Sequence, residues 1–187
     1  MSASKTDLSK YNNDWYQPGG SVLKKTCWYV LHAIFIHSAF PFSSFKVFLL
    51  RLFGASIGTS VTIKPNVTIK YPWHLTIGNH VWIGEQVWID NLSRVTIKNN
   101  CCVSQGAMLL CGNHDYSKTS FDLIVKDITL EEGVWIGAKS IVCPGVSIGS
   151  HSVLTVNSVA TRNLEPWGIY QGNPAVKIKE RVIKNDI

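Results

Sequence analysis

A repeat of six residues runs through most of the 187-residue chain and restricts its fold more than any other feature. The aliphatic residues that mark it are Ile57, Ile63, Ile69, Ile77, Ile83, Ile89, Ile97, Val103 and Leu109, and then Leu130, Ile136, Val142, Ile148 and Leu154. A helix would need spacings of three and four, so this period predicts very short β-strands joined by tight turns. Because so short a unit cannot bury its own aliphatic side chain, the units are predicted to stack into a solenoid of parallel strands.

Glycine or asparagine is expected at the turns, because tight turns often need a positive φ angle. A glycine follows the aliphatic residue directly in many units, at Gly58, Gly78, Gly84, Gly137 and Gly149. Lys64, Lys98 and Glu131 take this place in other units, and the sequence predicts that those turns are made in another way.

The repeat divides the chain into four segments. A polar segment is predicted at 1–20, a helical element at 21–54, the solenoid at 55–165 and a C-terminal tail with a short helix at 166–187. The stretch LLCGNHDYSKTSFDLIVKD interrupts the repeat, and an irregular inserted loop is predicted at 113–127.

The composition excludes several classes of protein. A formal net charge of +6 favours an anionic partner, but the Lys and Arg residues are scattered, so nucleic-acid binding is not predicted. The N-terminus lacks the order of a signal peptide, and the cysteines are odd in number without a CxxC pair. A reduced cytoplasmic location, with neither a disulfide framework nor a zinc site, is therefore expected. The five cysteines are Cys27, Cys101, Cys102, Cys111 and Cys143.

The segment CWYVLHAIFIHSAF raises the question of a membrane. Its apolar run of about 14 residues is shorter than the ~20 residues that a spanning helix needs. Packing against the main body or a neighbouring subunit is the simpler expectation. The alternative is an interfacial helix at the inner face of the membrane, in which Lys24, Lys25, Lys46 and Arg51 meet anionic lipid.

Several motifs together resemble the hexapeptide-repeat acyltransferases. IGTSVT, IGNHVWIGEQVW, VWIGAKSIVCPGVSIGSHSV and GNPAVKIKERV carry the resemblance between Ile57 and Val182, while FLLRLFGASIG, YPWHLTIG and GNHDY resemble the subgroup that O-acetylates exopolysaccharide building blocks, the colanic-acid acetyltransferases. The resemblance implies a left-handed parallel β-helix and a homotrimer with active sites between subunits. It also implies acetyl transfer from acetyl-CoA to a sugar hydroxyl. No cysteine within or beside the repeats has a histidine at a motif spacing, so direct transfer without an acyl-enzyme is expected.

His114 is the candidate general base. A neutral imidazole can accept a proton near pH 7, and a loop can hold it over a groove. In the family the histidine of this motif is the base, so the resemblance implies that His114 takes the proton of the acceptor hydroxyl. Four further residues are expected to bind the acceptor or to orient His114: Asp90, Asn91, Asn113 and Asp115. Capping of their own turns is the alternative for each.

The resemblance also implies a binding track for coenzyme A. Trp135 matches the tryptophan beside the active site, and Gly137 and Ala138 match the step that the pantetheine arm approaches. Val156, Thr161 and Arg162 lie further along the track, although TVNS at 155–158 departs from the GAGS of many members. Arg162, Lys177 and Lys179 are candidates for the nucleotide phosphates, with solvated surface lysines as the alternative.

Other functions share this fold. The acceptor of an acetyltransferase could be an amino sugar, a serine or an antibiotic. A γ-type carbonic anhydrase needs three histidines on zinc. His74 and His80 are six positions apart and should not converge, and no metal is predicted. A non-catalytic binding solenoid is the third class.

Overall fold

The computed structural model describes residues 5–184 and contains a left-handed parallel β-helix preceded by two helices. The predicted solenoid and the helical element before it are therefore confirmed. Helix α1 comprises Val22–Leu31 and continues into a π-helical segment, His32–Ile36. Helix α2 comprises Ser43–Leu52. Residues 1–4 of the predicted N-terminal segment and 185–187 of the predicted C-terminal tail lie outside the described range.

The strands of the solenoid form three faces, which we name A, B and C. Face A consists of β1 (Ser56–Ile57), β4 (Leu75–Ile77), β7 (Val95–Ile97), β12 (Ile128–Leu130) and β15 (Ser147–Ile148). Face B consists of β2 (Thr62–Ile63), β5 (Trp82–Ile83), β8 (Cys102–Val103), β13 (Trp135–Ile136), β16 (Val153–Leu154), β18 (Gly168–Gly172) and β19 (Ala175–Glu180). Face C consists of β3 (Thr68–Ile69), β6 (Trp88–Asp90), β9 (Met108–Leu110), β14 (Ile141–Val142) and β17 (Val159–Ala160).

Successive coils stack in register. Ile63 pairs with Ile83 on face B, and Thr76 pairs with Thr96 on face A, so equivalent residues of these coils lie twenty positions apart. Strand residues alternate between the two sides of a sheet, and the inward aliphatic residues of the repeat are almost fully buried. Their continuous column is the hydrophobic core that no single coil could form alone.

The glycines of the repeat do not have the role that the sequence suggested. The left-handed residues are His80 and Gln86, two positions after Gly78 and Gly84. A Cβ atom on Gly84 would lie 2.6 Å from the backbone nitrogen of Gln105 in the next coil. These glycines are therefore needed for close approach between coils, and the expectation of a positive φ angle at them was wrong.

Units without the glycine make the same turn. The left-handed residue again lies two positions after Lys64, Lys98 and Glu131, at Asn66, Asn100 and Gly133. The prediction of a different turn at these places was therefore also wrong, because asparagine and glycine tolerate the left-handed region at this later position.

Helix α2 caps the N-terminal end of the solenoid. The first coil has no preceding coil to pair with, so its backbone groups need other partners. Ser43 Oγ bonds to the backbone of Val61 and Ile63, and the buried ammonium of Lys46 donates to the carbonyl of Lys64 at 2.8 Å.

On face C, the first coil is capped by α1 and the π-helical segment that follows it. Trp28 Nε1 donates to the carbonyl of Ile69 at 3.2 Å, and His32 Nε2 accepts the Ile69 N–H at 3.1 Å. Because Nε2 accepts this bond, His32 must be unprotonated there. Burial, and secondarily the neighbouring His37, lower the pKa of His32 from its usual 6.5 to about 4.

Two elements differ from the sequence-based prediction. The inserted loop is not irregular, because β10 (Gly112–His114) pairs antiparallel with β11 (Leu123–Val125) and forms a hairpin. The C-terminal short helix was wrong, because β19 pairs antiparallel with β18. The apolar–polar alternation from Val176 to Lys179 has the period of a strand and explains the outcome.

The pKa of His32 predicts how stability depends on pH. A pKa that is lower in the folded state means that the unfolded state binds more protons, so this stabilisation is present above pH 6.5 and is lost as the pH falls towards 4. His32→Gln removes the titration and should flatten the pH dependence of the unfolding free energy in this window, by at most about 1.4 kcal/mol per pH unit. Urea unfolding at a series of pH values measures this, with His80→Gln as control, because His80 is exposed and has no part in this cap. A wild-type slope retained in His32→Gln would contradict the assignment.

Candidate active site

A polar cleft lies beside the inserted hairpin, at the corner between faces C and A. Its volume is about 730 Å³. Side chains from the N-terminal segment, from two successive coils and from the hairpin surround it. Its lining includes Tyr11, Tyr16, Lys70, Tyr71, Asp90, Asn113 and His114.

His114 is held with one ring nitrogen directed into a hydrogen bond. Its Nδ1 lies 2.9 Å from the carbonyl oxygen of Phe121, and a carbonyl can only accept, so Nδ1 carries the proton. The imidazole stacks on the Phe121 ring at 4.4 Å, and Tyr11 lies at 5.7 Å. In the neutral form this arrangement leaves the Nε2 lone pair able to accept a proton.

The N-terminal segment forms one wall of the cleft, which the sequence analysis missed. Tyr16 donates its hydroxyl proton to the carbonyl of Leu92 at 2.6 Å, and burial raises the pKa of this phenol. Trp73 Nε1 donates to the carbonyl of Pro18 at 2.6 Å. Three aromatic residues, Tyr11, Trp15 and Tyr16, occur within this otherwise polar segment and were the available signal.

Two of the predicted acceptor residues line the cleft. Asp90 ends β6 and forms an ion pair with Lys70 at 3.2 Å. Asn113 lies in β10, next to His114. These positions are compatible with contacts to an acceptor, because both residues border the open space beside the imidazole.

The other two predicted acceptor residues have structural roles. Asn91 is fully buried, and its side-chain oxygen accepts the N–H groups of Lys70 and Tyr71, both at 3.0 Å. Asp115 accepts hydrogen bonds from the backbone N–H and the hydroxyl of Ser117. Asn91 therefore holds the corner of the neighbouring coil and is too buried to bind an acceptor. Asp115 holds its own turn, and its contact with an acceptor stays a prediction.

The structure brings four of the predicted donor residues together. Trp135 lies on face B with 46% of its surface exposed, and its Nε1 donates to Ser104 Oγ at 2.9 Å. Gly137 and Ala138 follow at the corner between faces B and C, and Ala138 lies beside the exposed Val156 of the next coil, where Asn157 N donates to Ala138 O at 2.9 Å.

The small size of Gly137 has a structural cause as well. A Cβ atom there would lie 2.5 Å from the backbone nitrogen of Val156. The next coil therefore requires a glycine whether or not a ligand approaches the corner.

The remaining predicted donor residues lie elsewhere. Thr161 and Arg162 are exposed at the corner between faces C and A, two coils beyond the hairpin. Lys177 and Lys179 are exposed in β19, and Lys179 pairs with Ile169 in the same row of face B as Trp135. Lys177 forms an ion pair with Glu180 at 2.6 Å.

The two halves of the predicted site lie on different sides of one chain. The hairpin that carries His114 leaves the solenoid at the corner between faces C and A. Trp135 lies on face B, which is opposite this corner in a three-sided coil. A single chain therefore does not place Trp135 next to His114.

Two of the cysteines within the coils are packing residues. Cys101 and Cys111 are buried, and burial raises their pKa values to about 11 and about 12. Such thiols stay protonated near neutral pH and are poor nucleophiles.

Residues 5–184 contain neither a side-chain cluster for a metal ion nor a helix that could cross a membrane. No cluster of three or more His, Cys, Asp and Glu side chains in this range is arranged to hold a metal ion. Within the same residues, every helix is too short or too polar to cross a membrane.

Comparison with known proteins identifies relatives along nearly the whole chain. WcaF of Escherichia coli K12, named for acetyltransferase activity in colanic acid biosynthesis, is 37% identical over 177 residues, which cover 94% of this chain and 97% of the relative. No family model matches the chain.

Solved structures share the fold. A galactoside acetyltransferase in complex with coenzyme A is 25% identical, with a TM-score of 0.75 over 84% of this chain and 80% of the other. The hexapeptide-repeat acetyltransferase VCA0836 of Vibrio cholerae, in complex with acetyl coenzyme A, superposes with a TM-score of 0.77 over 86% and 88% at 22% identity. With the repeat, the hairpin histidine and the full-length match to WcaF, this chain belongs to the hexapeptide-repeat acetyltransferase family.

Proposed function

We propose that this protein transfers the acetyl group of acetyl-CoA to a sugar hydroxyl in the synthesis of an exopolysaccharide or cell-surface glycan. The orientation of His114 carries the proposal, because its Nδ1–H is fixed on the Phe121 carbonyl at the wall of a polar cleft. The match to WcaF and the coenzyme A bound in the galactoside acetyltransferase support the donor and the class of acceptor.

His114 performs the proton transfer in this proposal. Acetyl-CoA supplies an acyl group that is already activated as a thioester. Nε2 of His114 accepts the hydroxyl proton while the acceptor oxygen bonds to the acyl carbon, and it returns the proton to the sulfur after the carbon–sulfur bond breaks. The Phe121 carbonyl stabilises the imidazolium, because it keeps accepting a hydrogen bond from Nδ1.

The cleft has the groups that a saccharide needs. Tyr11 and Tyr71 present aromatic rings for the apolar faces of a sugar, and Asp90 and Asn113 present oxygens for its hydroxyl groups. Lys70 adds a cation that suits a phosphate attached to the acceptor. We assign the acceptor to this cleft.

We assign the donor to the track from Trp135 to Val156 in a neighbouring copy of the chain. Trp135 faces away from the His114 of its own chain, so a complete site needs a second copy. The small side chain of Ala138 leaves room for a ligand at this corner, whereas the next coil fills the space beside Gly137. A closed ring of three copies makes three equivalent sites of this kind.

Replacement of His114 tests the mechanism. We expect His114→Ala to lower kcat by about 10²- to 10⁴-fold, because the acceptor loses its general base. Acetyl transfer to sugar acceptors, followed by release of free thiol, measures the rate. Tyr116→Ala is the control, because Tyr116 is highly exposed in the same hairpin. Turnover of His114→Ala at the wild-type rate would contradict the mechanism.

Mixing two impaired variants tests whether the site is shared between copies. His114→Ala and Trp135→Ala are unfolded together in equal amounts and refolded, and activity is measured at an acetyl-CoA concentration too low to saturate Trp135→Ala. Random trimers should recover about a quarter of the wild-type activity, because each mixed ring contains one site with both native residues.

The controls for this mixture are the two variants refolded separately. Activity of the mixture that equals the mean of the separate variants would place His114 and Trp135 in the same chain. The mass of the assembly in solution, compared with 20.8 kDa for one chain, gives the number of copies.

A further inference from the structure

The charge of this protein is distributed unevenly along the chain. No Asp or Glu occurs between Asp14 and Glu85. This part of the chain holds six cationic residues, Lys24, Lys25, Lys46, Arg51, Lys64 and Lys70. The formal net charge of the whole chain is also +6, so the cationic and acidic residues balance everywhere else. The helices and the first coil therefore carry the entire excess of positive charge.

An apolar surface lies on the outer side of α2. Phe42, Phe45, Phe48 and Leu52 form it, with 63%, 36%, 56% and 66% of their surfaces exposed. Phe45, Phe48 and Leu52 are spaced three and four positions apart, so they share one side of the helix. We call these four residues the end face.

The end face points away from the solenoid. The opposite side of α2 is buried, at Lys46, Val47, Leu49 and Leu50, where it caps the first coil. The end face is thus at the end of the molecule, whereas Trp135 and the hairpin lie on its flanks. An assembly through the flanks leaves the end face uncovered.

Positive charge borders the end face. Arg51 is in the last turn of α2, and its exposed guanidinium donates to the carbonyls of Ile57 and Gly58. The ammonium of Lys24 lies near Gly54, directly after α2, and over the Trp73 ring at 4.7 Å.

The chemistry of this surface selects one partner. A second copy docked through the same surface would bring two cationic ends together, which like-charge repulsion disfavours. A nucleic acid would need cations where the phenylalanines are. We propose that the end face docks on an anionic membrane, with the four apolar side chains in the interfacial region and the surrounding cations at the lipid phosphates.

Vesicle co-sedimentation tests the proposal. The full-length protein is mixed with vesicles of phosphatidylcholine alone, or of three parts phosphatidylcholine to one part phosphatidylglycerol. We expect binding to the anionic vesicles only, and weaker binding at higher salt. Phe45→Ser combined with Phe48→Ser should reduce the partition coefficient by roughly tenfold or more. Lys24→Gln should reduce it about fivefold.

The control variant is Val182→Ser with Ile183→Ser, which removes two exposed apolar residues after β19. It should bind as the wild type does, and circular dichroism should show that all variants are folded. Equal binding to both kinds of vesicle, or full binding by the double phenylalanine variant, would overturn the proposal. If the protein self-associates without lipid, and the double phenylalanine variant does not, the end face would instead be assigned to a second copy of the chain.

Discussion

The hydrogen-bond ladder between successive coils is the constraint on which the rest of this structure depends. Each coil supplies the backbone partners of the next, and each adds an aliphatic layer to one continuous core. The ladder leaves unpaired backbone groups at its first coil. Four side chains of the helical element bond to those groups: Trp28, His32, Ser43 and Lys46. The helices therefore help to stabilise the solenoid. The apolar, cationic surface of the helices is thereby fixed to one end of the solenoid.

The same column determines where chemistry can occur. A corner can lengthen without disturbing the ladder, and the hairpin of β10 and β11 is such an extension. Its antiparallel pairing places His114 against Phe121, and the carbonyl of Phe121 fixes the tautomer of the imidazole. The N-terminal segment then crosses the corner and encloses the cleft. The proposed donor track lies on another side, so the arrangement within one chain favours the proposal of an active site shared between copies.

The sequence predicted the features that depend on local repetition. The six-residue period predicted the parallel solenoid, and the break in it located the hairpin with His114. Features that depend on contacts between distant residues were less accessible. Asn91 was assigned to the acceptor because no local signal indicates that its side chain bonds to the backbone of Lys70 and Tyr71 in the neighbouring coil. Tyr16 was overlooked because its partner, Leu92, is 76 positions away.

The errors at the C-terminus and at the turns have similar causes. The apolar–polar alternation in β19 is too short to predict a strand by itself. The pairing of this segment with β18 makes it a strand rather than a helix. The glycines of the repeat were assigned to positive φ angles because close approach of the next coil cannot be read from one coil alone. Gly84 and Gly137 are needed for that approach, and the left-handed residues follow two positions later.

Calorimetric titration with acetyl-CoA tests the central claim most directly, namely that Trp135 and its neighbours bind the donor while His114 acts on the acceptor. The account predicts one binding site per chain, with affinity weakened at least about tenfold in Trp135→Ala and unchanged in His114→Ala. Absence of binding, or binding that Trp135→Ala leaves unaltered, would contradict it.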